Sequence, residues 1–334
     1  MLKTAGLLFF GSLIMNAEVR VEKTAYQGWP NCYRVTNGEI ELIVTSDIGP
    51  RIMRIGFPGG QNFFFEEPQS LGKSGEPVWV KRGGHRVWIA PEDPKYSYGP
   101  DNSPIDVKVQ GGIVIATQPV EKETGIEKQI EIRMNPSGTG VLVIHRLRNM
   151  GIMPLEYTTW AMSMMAQGGL AITGFPPRGT HDEYLQPTNP LTMWAYTDFS
   201  DPRWKFTTKY VTLRMDPANS VAQKLGLWNA KTWAAYALNG ELFIKRYSPV
   251  PSKNYPDFGC SFEMFTNNEF LEMETLGPIQ KVPAGGVIEH TELWSLHRDV
   301  HLKAITDAEI DRTVLPLIDQ NLASPRIGVA SHPR

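Results

Sequence analysis

Through most of the chain, apolar and polar positions alternate in short runs closed by Gly, Pro, Asn or Asp, and Glu18 opens the first clear stretch of this kind. A period of two sends successive side chains to opposite faces, so these runs predict half-buried β-strands. Ala17–Ala25, Glu39–Ser46 and Arg51–Phe57 come first. Ile105–Gln110 and Ile113–Gln118 flank Gly111-Gly112, and Trp233–Leu238 and Glu241–Arg246 meet at Asn239-Gly240. Both dipeptides tolerate the positive φ that a two-residue hairpin turn requires. Ile126–Met134 and Gly140–Leu147 are joined by Asn135-Pro-Ser-Gly138, and Val287–Leu296 follows Pro283-Ala-Gly-Gly286. Thr306-Asp-Ala-Glu309 is a capping box opening a helix to about Asp319. The expected fold is all-β and antiparallel over residues 18–302, with a C-terminal helix and loose tail over 303–334.

The run Cys260–Pro278 reads as a hairpin turning at Thr266-Asn267-Asn268. On its second strand Phe270, Glu272, Glu274 and Leu276 share one face, and Leu271, Met273 and Thr275 make a core face. Glu272 and Glu274 then stand about 6 to 7 Å apart at their Cα atoms. Charges on strands are usually solvated, and the strand pattern alone favours that reading. Pro91–Pro104 and Phe175–Pro190 are long loops of the sort that line a site.

The first residues depart from the strand pattern. Lys3, the apolar run Ala5–Met15 and Asn16-Ala17 predict a signal peptide over 1–17, cleaved near Ala17, with a periplasmic or secreted product. A buried N-terminal strand or helix is the alternative. No later segment is apolar enough for a membrane span. With 33 Lys+Arg against 35 Asp+Glu, no nucleic-acid or polybasic membrane surface is expected. The two cysteines, Cys32 and Cys260, either pair across a long loop or are buried thiols, and they make no zinc motif.

Chemistry-bearing residues fall in a few stretches. Gly83-Gly84 precedes His85, which can exchange a proton near neutrality, and Trp88, which can stack on a sugar ring. A lone His is more often structural. Lys245 suits a hydroxyl or carboxylate, or a solvated surface; Asp257 suits hydroxyls, or a turn with Pro256 and Gly259. His297-Arg-Asp-Val-His301 has metal-ligand spacing but follows a strand and lacks the partnering Glu, so no metal is expected. No phosphate loop, nucleophile-elbow serine or dinucleotide fingerprint occurs, and no cofactor is expected.

Read together, Asp47-Ile-Gly-Pro-Arg51-Ile, Gly83-Gly84-His-Arg-Val-Trp88-Ile-Ala-Pro-Glu92, Leu147-Arg-Asn-Met-Gly151, Trp160, Lys224-Leu-Gly226, Phe243-Ile-Lys245-Arg, Tyr255-Pro-Asp257-Phe-Gly259, Leu271-Glu-Met-Glu-Thr-Leu-Gly-Pro278 and Thr291-Glu-Leu-Trp294 form a pattern. It resembles an often exported bacterial family within the galactose mutarotase-like (aldose 1-epimerase) superfamily, from about Glu18 to Arg298. The resemblance implies a β-supersandwich with a concave carbohydrate-binding face. It implies that Glu274, within Met273-Glu274-Thr275, is the base at the anomeric hydroxyl, and that His85 is the acid or a sugar-orienting group. Arg51, Trp88, Trp160, Lys245, Asp257 and Glu272 are the expected lining residues, and the expected partner is a sugar or sugar-derived small molecule. Where such enzymes have an asparagine after a strand leading to a second histidine, this chain has Asn149, but Thr158 or Thr159 near the expected place of the histidine. That departure favours the alternative of a non-catalytic binding or sensing module, and an interaction scaffold is a third reading. Glycoside hydrolysis ranks lower, because acids two apart on one strand belong to one wall and hydrolases flank the bond.

Overall fold

The computed structural model describes residues 18–251 and 253–322; the expected signal peptide lies outside the described residues, as does the tail from residue 323. The turn chemistry sets the hairpins. Asn239 and Gly240 both take positive φ, 47° and 80°, and Leu238 pairs with Glu241 across them. Gly111 and Gly112 do the same at 55° and 82°. In the hairpin Phe262–Thr266 to Leu271–Leu276, Asn267 Oδ1 accepts the amides of Glu269 and Phe270 at 2.8 and 3.2 Å, which closes the turn.

Two antiparallel sheets result. The eleven-stranded sheet runs Arg20–Tyr26, Trp29–Thr36, Glu41–Thr45, Arg51–Gly56, His85–Ala90, Leu155–Met165, Leu271–Leu276, Phe262–Thr266, Gln223–Leu227 and Leu191–Met193, with Gln280–Val282 also pairing to Leu155–Met165. The ten-stranded sheet runs Trp204–Phe206, Tyr210–Arg214, Leu170–Gly174, Trp233–Leu238, Glu241–Tyr247, Val287–His297, Val141–Asn149, Ile126–Met134, Ile113–Thr117 and Asp106–Gln110. The main core fills the space between them, with Val87, Leu271, Met273 and Leu225 from the first sheet against Val143, Phe243, Trp294 and Leu296 from the second.

The C-terminal helix is broken where one helix was expected. Thr306 caps Asp307–Thr313 by accepting the Glu309 amide, Val314 interrupts, and Leu315–Leu322 continues. Ile310, Val314 and Ile318 pack on Leu170, Ile172, Trp233 and Ile244, covering one face of the second sheet. Cys32 and Cys260 are buried free thiols. Among the described residues no helix is long and apolar enough to cross a membrane.

Candidate functional site

Strand alternation makes the middle of the first sheet two-faced. His85–Ala90, Leu155–Met165, Leu271–Leu276 and Phe262–Thr266 lie side by side, with Met162 opposite both Arg86 and Glu274, and Glu263 opposite Glu274. One face therefore gathers Arg86, Trp88, Trp160, Met162, Met164, Glu272, Glu274 and Glu263, and Lys224 joins from the next strand. Glu274 and Glu263 are wholly buried. Glu274 Oε2 accepts from the Trp160 indole at 2.8 Å and from Lys224 Nζ at 3.1 Å, while its Oε1 has no hydrogen-bond partner among the described residues. Lys224 Nζ also stands 2.8 Å from Glu263 Oε2. The lysine lies between two rings, 5.0 Å from Trp160 and 4.6 Å from Trp194.

Electrostatics follow from this crowding. Burial works against the Lys224 charge, but the flanking carboxylates prevail and hold its pKa well above the ordinary value. Burial pushes the Glu263 carboxyl well above the usual carboxylate range, with Lys224 opposing. Glu272 is raised to about 7, chiefly by burial, although Arg86 Nη2 lies 3.3 Å away. Arg86 in turn stacks 4.4 Å above Trp88. Trp79 and Tyr98, from the segment around the long loop 91–104, pack edge-on against Trp88 at 5.5 and 4.8 Å. An acid with a pKa near neutrality beside a carboxylate with a bare oxygen is an arrangement able to give and take protons.

The opposite face holds a second polar set between the sheets. His85 Nε2 meets His145 Nε2 at 2.6 Å, and His85 Nδ1 meets Ser163 Oγ at 2.8 Å. His145 Nδ1 lies 2.9 Å from the His290 carbonyl, which can only accept, so His145 carries its proton there. Its Nε2 then accepts from His85 Nε2–H, and His85 Nδ1 accepts the Ser163 hydroxyl. Thr275 donates to Glu292 Oε1 and so accepts from His290 Nε2–H. Lys245 Nζ donates to Glu292 at 2.9 Å and to the Met273 carbonyl at 3.2 Å, and the Trp294 indole donates to Glu292 Oε2 at 2.7 Å. Burial, first of all, lowers the pKa of all three histidines, in keeping with neutral rings. His85, His145 and Glu292 are close enough to hold a metal ion. Each already spends its facing atoms on a partner, so an ion would have to break that chain.

No family model matches the sequence, and no curated protein matches it. Solved structures do. A galactose mutarotase-like protein from Lactobacillus casei ATCC 334 superposes with a TM-score of 0.51 at 11% identity, over 80% of this chain and 100% of that one. A galactose mutarotase related enzyme from Lactobacillus acidophilus gives 0.51 at 8% identity, over 80% and 98%. The Slr1438 protein from Synechocystis sp. PCC 6803 gives 0.53 at 10% identity, over 84% and 99%. The chain has the galactose mutarotase-like fold.

Within that mutarotase-like fold the expected site residues divide. Glu274, Glu272, Trp88 and Trp160 come together on the acid face. His85 and Lys245 do not join them: their alternation points them between the sheets, into the His145–Glu292 network. Gly83 and Gly84 fix this orientation, since both take positive φ and a Cβ would lie 2.0 Å from the Phe65 carbonyl and 2.6 Å from that of Ile52. Arg51 is buried as a clamp, donating to the Gly83 carbonyl and to Asp101 at 2.5 and 2.6 Å. Asp257 occupies a turn at φ 51°, where its carbonyl accepts from Thr192, and its charge helps to raise the pKa of Glu263. Arg86, Glu263, Lys224 and Trp194 were not anticipated as site residues. Hairpin register carried a signal for Glu263, which must oppose Glu274, and parity with Trp88 carried one for Arg86.

Proposed function

We propose that the protein binds a sugar on the acid face and exchanges its anomers by a carboxylate pair. The observation that supports this best is Glu274: a buried carboxylate with one oxygen held by Trp160 and Lys224 and the other without a hydrogen-bond partner among the described residues. Ring opening needs a base at the anomeric hydroxyl and an acid at the ring oxygen. Glu274 takes the first role. Glu272, whose pKa of about 7 keeps it half protonated near neutrality, takes the second in place of a histidine. Export through a leader ending near Ala17 is part of the proposal, and N-terminal sequencing of protein from its native host checks it.

A second reading, sugar binding without chemistry, is favoured by one observation: no described histidine bonds the acid-face carboxylates. Saturation-transfer NMR over a panel of hexoses, pentoses and uronic acids separates the two. Exchange above buffer that falls about 10²- to 10⁴-fold in Glu274→Gln supports the epimerase reading. Binding with no exchange selects the second reading, and no binding by any sugar overturns both.

A further inference from the structure

Hydrogen-bonding capacity on the acid face is unevenly spent. Three carboxylates, Glu263, Glu272 and Glu274, meet two cations, Lys224 and Arg86. Lys224 is enclosed by Glu263, Glu274 and the rings of Trp160 and Trp194. Arg86 is flat against Trp88, with Nη1 2.9 Å from the Met164 sulfur and Nη2 on Glu272. The donors left over are Arg86 Nε and the neutral indole N–H groups of Trp79 and Trp88, which suit hydroxyl oxygens. On the acceptor side, Glu274 Oε1 and Glu263 Oε1 are buried without a hydrogen-bond partner among the described residues. Glu272 keeps 13% of its side chain exposed, and the exposed Tyr98, which feels the Glu272 charge, stands near it, which marks the way in. Glu92, at the base of the Tyr98 loop, adds a further negative charge felt by Glu272.

A buried carboxylate oxygen without a donor is costly, and a charged donor answers it more strongly than a neutral one. An anionic ligand group would face the Glu274 carboxylate and, above about pH 7, that of Glu272, with Lys224 already enclosed and Arg86 Nε the cationic donor left to it among the described residues. Resting on the sugar-binding reading above, we propose that this face prefers amino sugars to their neutral counterparts and rejects uronic acids and sugar phosphates.

Matched sugars test this with stereochemistry held constant: glucosamine, glucose and glucuronic acid, then galactosamine, galactose and galacturonic acid, titrated by calorimetry at about pH 7.5, above the value of about 7 at which Glu272 ionises. Within a series that binds, the amino sugar should bind about tenfold more tightly than the neutral sugar, and the uronic acid about tenfold more weakly or worse. Glucose 6-phosphate should behave like the uronic acid. Glu263→Gln should shrink the gap between amino and neutral sugar to about twofold. If that variant does not fold by circular dichroism, Glu272→Gln at the rim replaces it with the same expectation. Neutral and amino sugars binding equally, a uronic acid binding as well as the neutral sugar, or a gap unchanged in the folded variant overturns the charge preference while leaving sugar binding intact. Binding by none of the six sugars overturns the sugar-binding reading and this inference with it.

Discussion

The two faces of the central strands carry two buried polar clusters that differ in one respect. His85 and Arg86 are consecutive, as are Glu274 and Thr275, and alternation sends one of each pair inward and one outward. Both clusters contain lysine, glutamate and tryptophan, and both are nearly free of solvent. The inward chain closes: Ser163, His85, His145 and the His290 carbonyl form one line, and His290, Thr275, Glu292, Lys245 and Trp294 form another. Among the described residues, the outward cluster leaves Glu274 Oε1, Glu263 Oε1 and three N–H groups without hydrogen-bond partners. Completeness of hydrogen bonding, and not burial or charge, separates the set that registers the sheets against each other from the set where we propose that a sugar binds.

Breaking an ion pair in each cluster should give the largest effect. Glu292→Ala strands the wholly buried Lys245 ammonium and should cost about 3–5 kcal/mol in urea unfolding. Pairing Lys245→Met with Glu292→Leu should recover most of that loss. Lys224→Met should cost less than Glu292→Ala, because Glu263, already pushed up by burial, can take a proton. Equal losses in the two single variants would erase the distinction between the faces.

Acid should also divide them, with opposite signs. Burial lowers His290 from the ordinary 6.5 to about 3, with Glu292, His145 and Lys245 facing it. Below about pH 6.5 the unfolded chain takes up protons that the folded histidine refuses. Stability present above that pH is therefore lost as pH falls toward 3, at roughly 1.4 kcal/mol per unit at most. Glu272 runs the other way. Its folded value, raised to about 7, makes its contribution full below the unfolded value near 4.5 and lost as pH rises through 7. Across pH 7, 6 and 5, urea midpoints should shift downward less in His290→Gln than in the wild type, and downward more in Glu272→Gln. Ligand affinity should change around pH 7 and lose that dependence in Glu272→Gln.

How much of this was legible in the sequence follows from what alternation can encode. Hairpins with Asn-Gly or Gly-Gly turns were readable because those residues reach positive φ, and the inward and outward sets of Leu271–Leu276 were readable from parity. Trp29–Thr36 escaped because Pro30, Asn31 and Arg34 break its alternation, although it pairs on both sides. Which residues share the acid face was half legible: Glu274, Glu272, Trp88 and Trp160, named by the resemblance, fall on one face, but a motif names residues without saying which face each takes. His85 has the opposite parity to Trp88 within one strand, and that parity decides against its sharing a face with Glu274. Lys224 could not be found by counting, since it reaches Glu274 across Phe262–Thr266, a contact fixed by strand order and not by local spacing.

The smallest expected effect gives the sharpest test of whether the clusters are independent. Ser163 sits between Met162 and Met164, both on the acid face, but its own hydroxyl points inward to His85 Nδ1 at 2.8 Å. In the tautomer chain this hydroxyl is the terminal donor. Ser163→Ala leaves His85 Nδ1 as a buried acceptor without a donor and vacates little volume, so the loss should be about 1 kcal/mol, up to about 3 if the ring cannot readjust. Because Arg86, Met162 and Met164 keep their places, sugar affinity should match the wild type within about twofold, a difference below about 0.5 kcal/mol. Paired urea unfolding and sugar titration measure both quantities on one protein sample. A variant of wild-type stability would contradict the proton order assigned to His85 and His145. The expected stability loss accompanied by a tenfold loss of affinity would show that the strand transmits inward changes to the acid face, and the two clusters would then have to be treated as one.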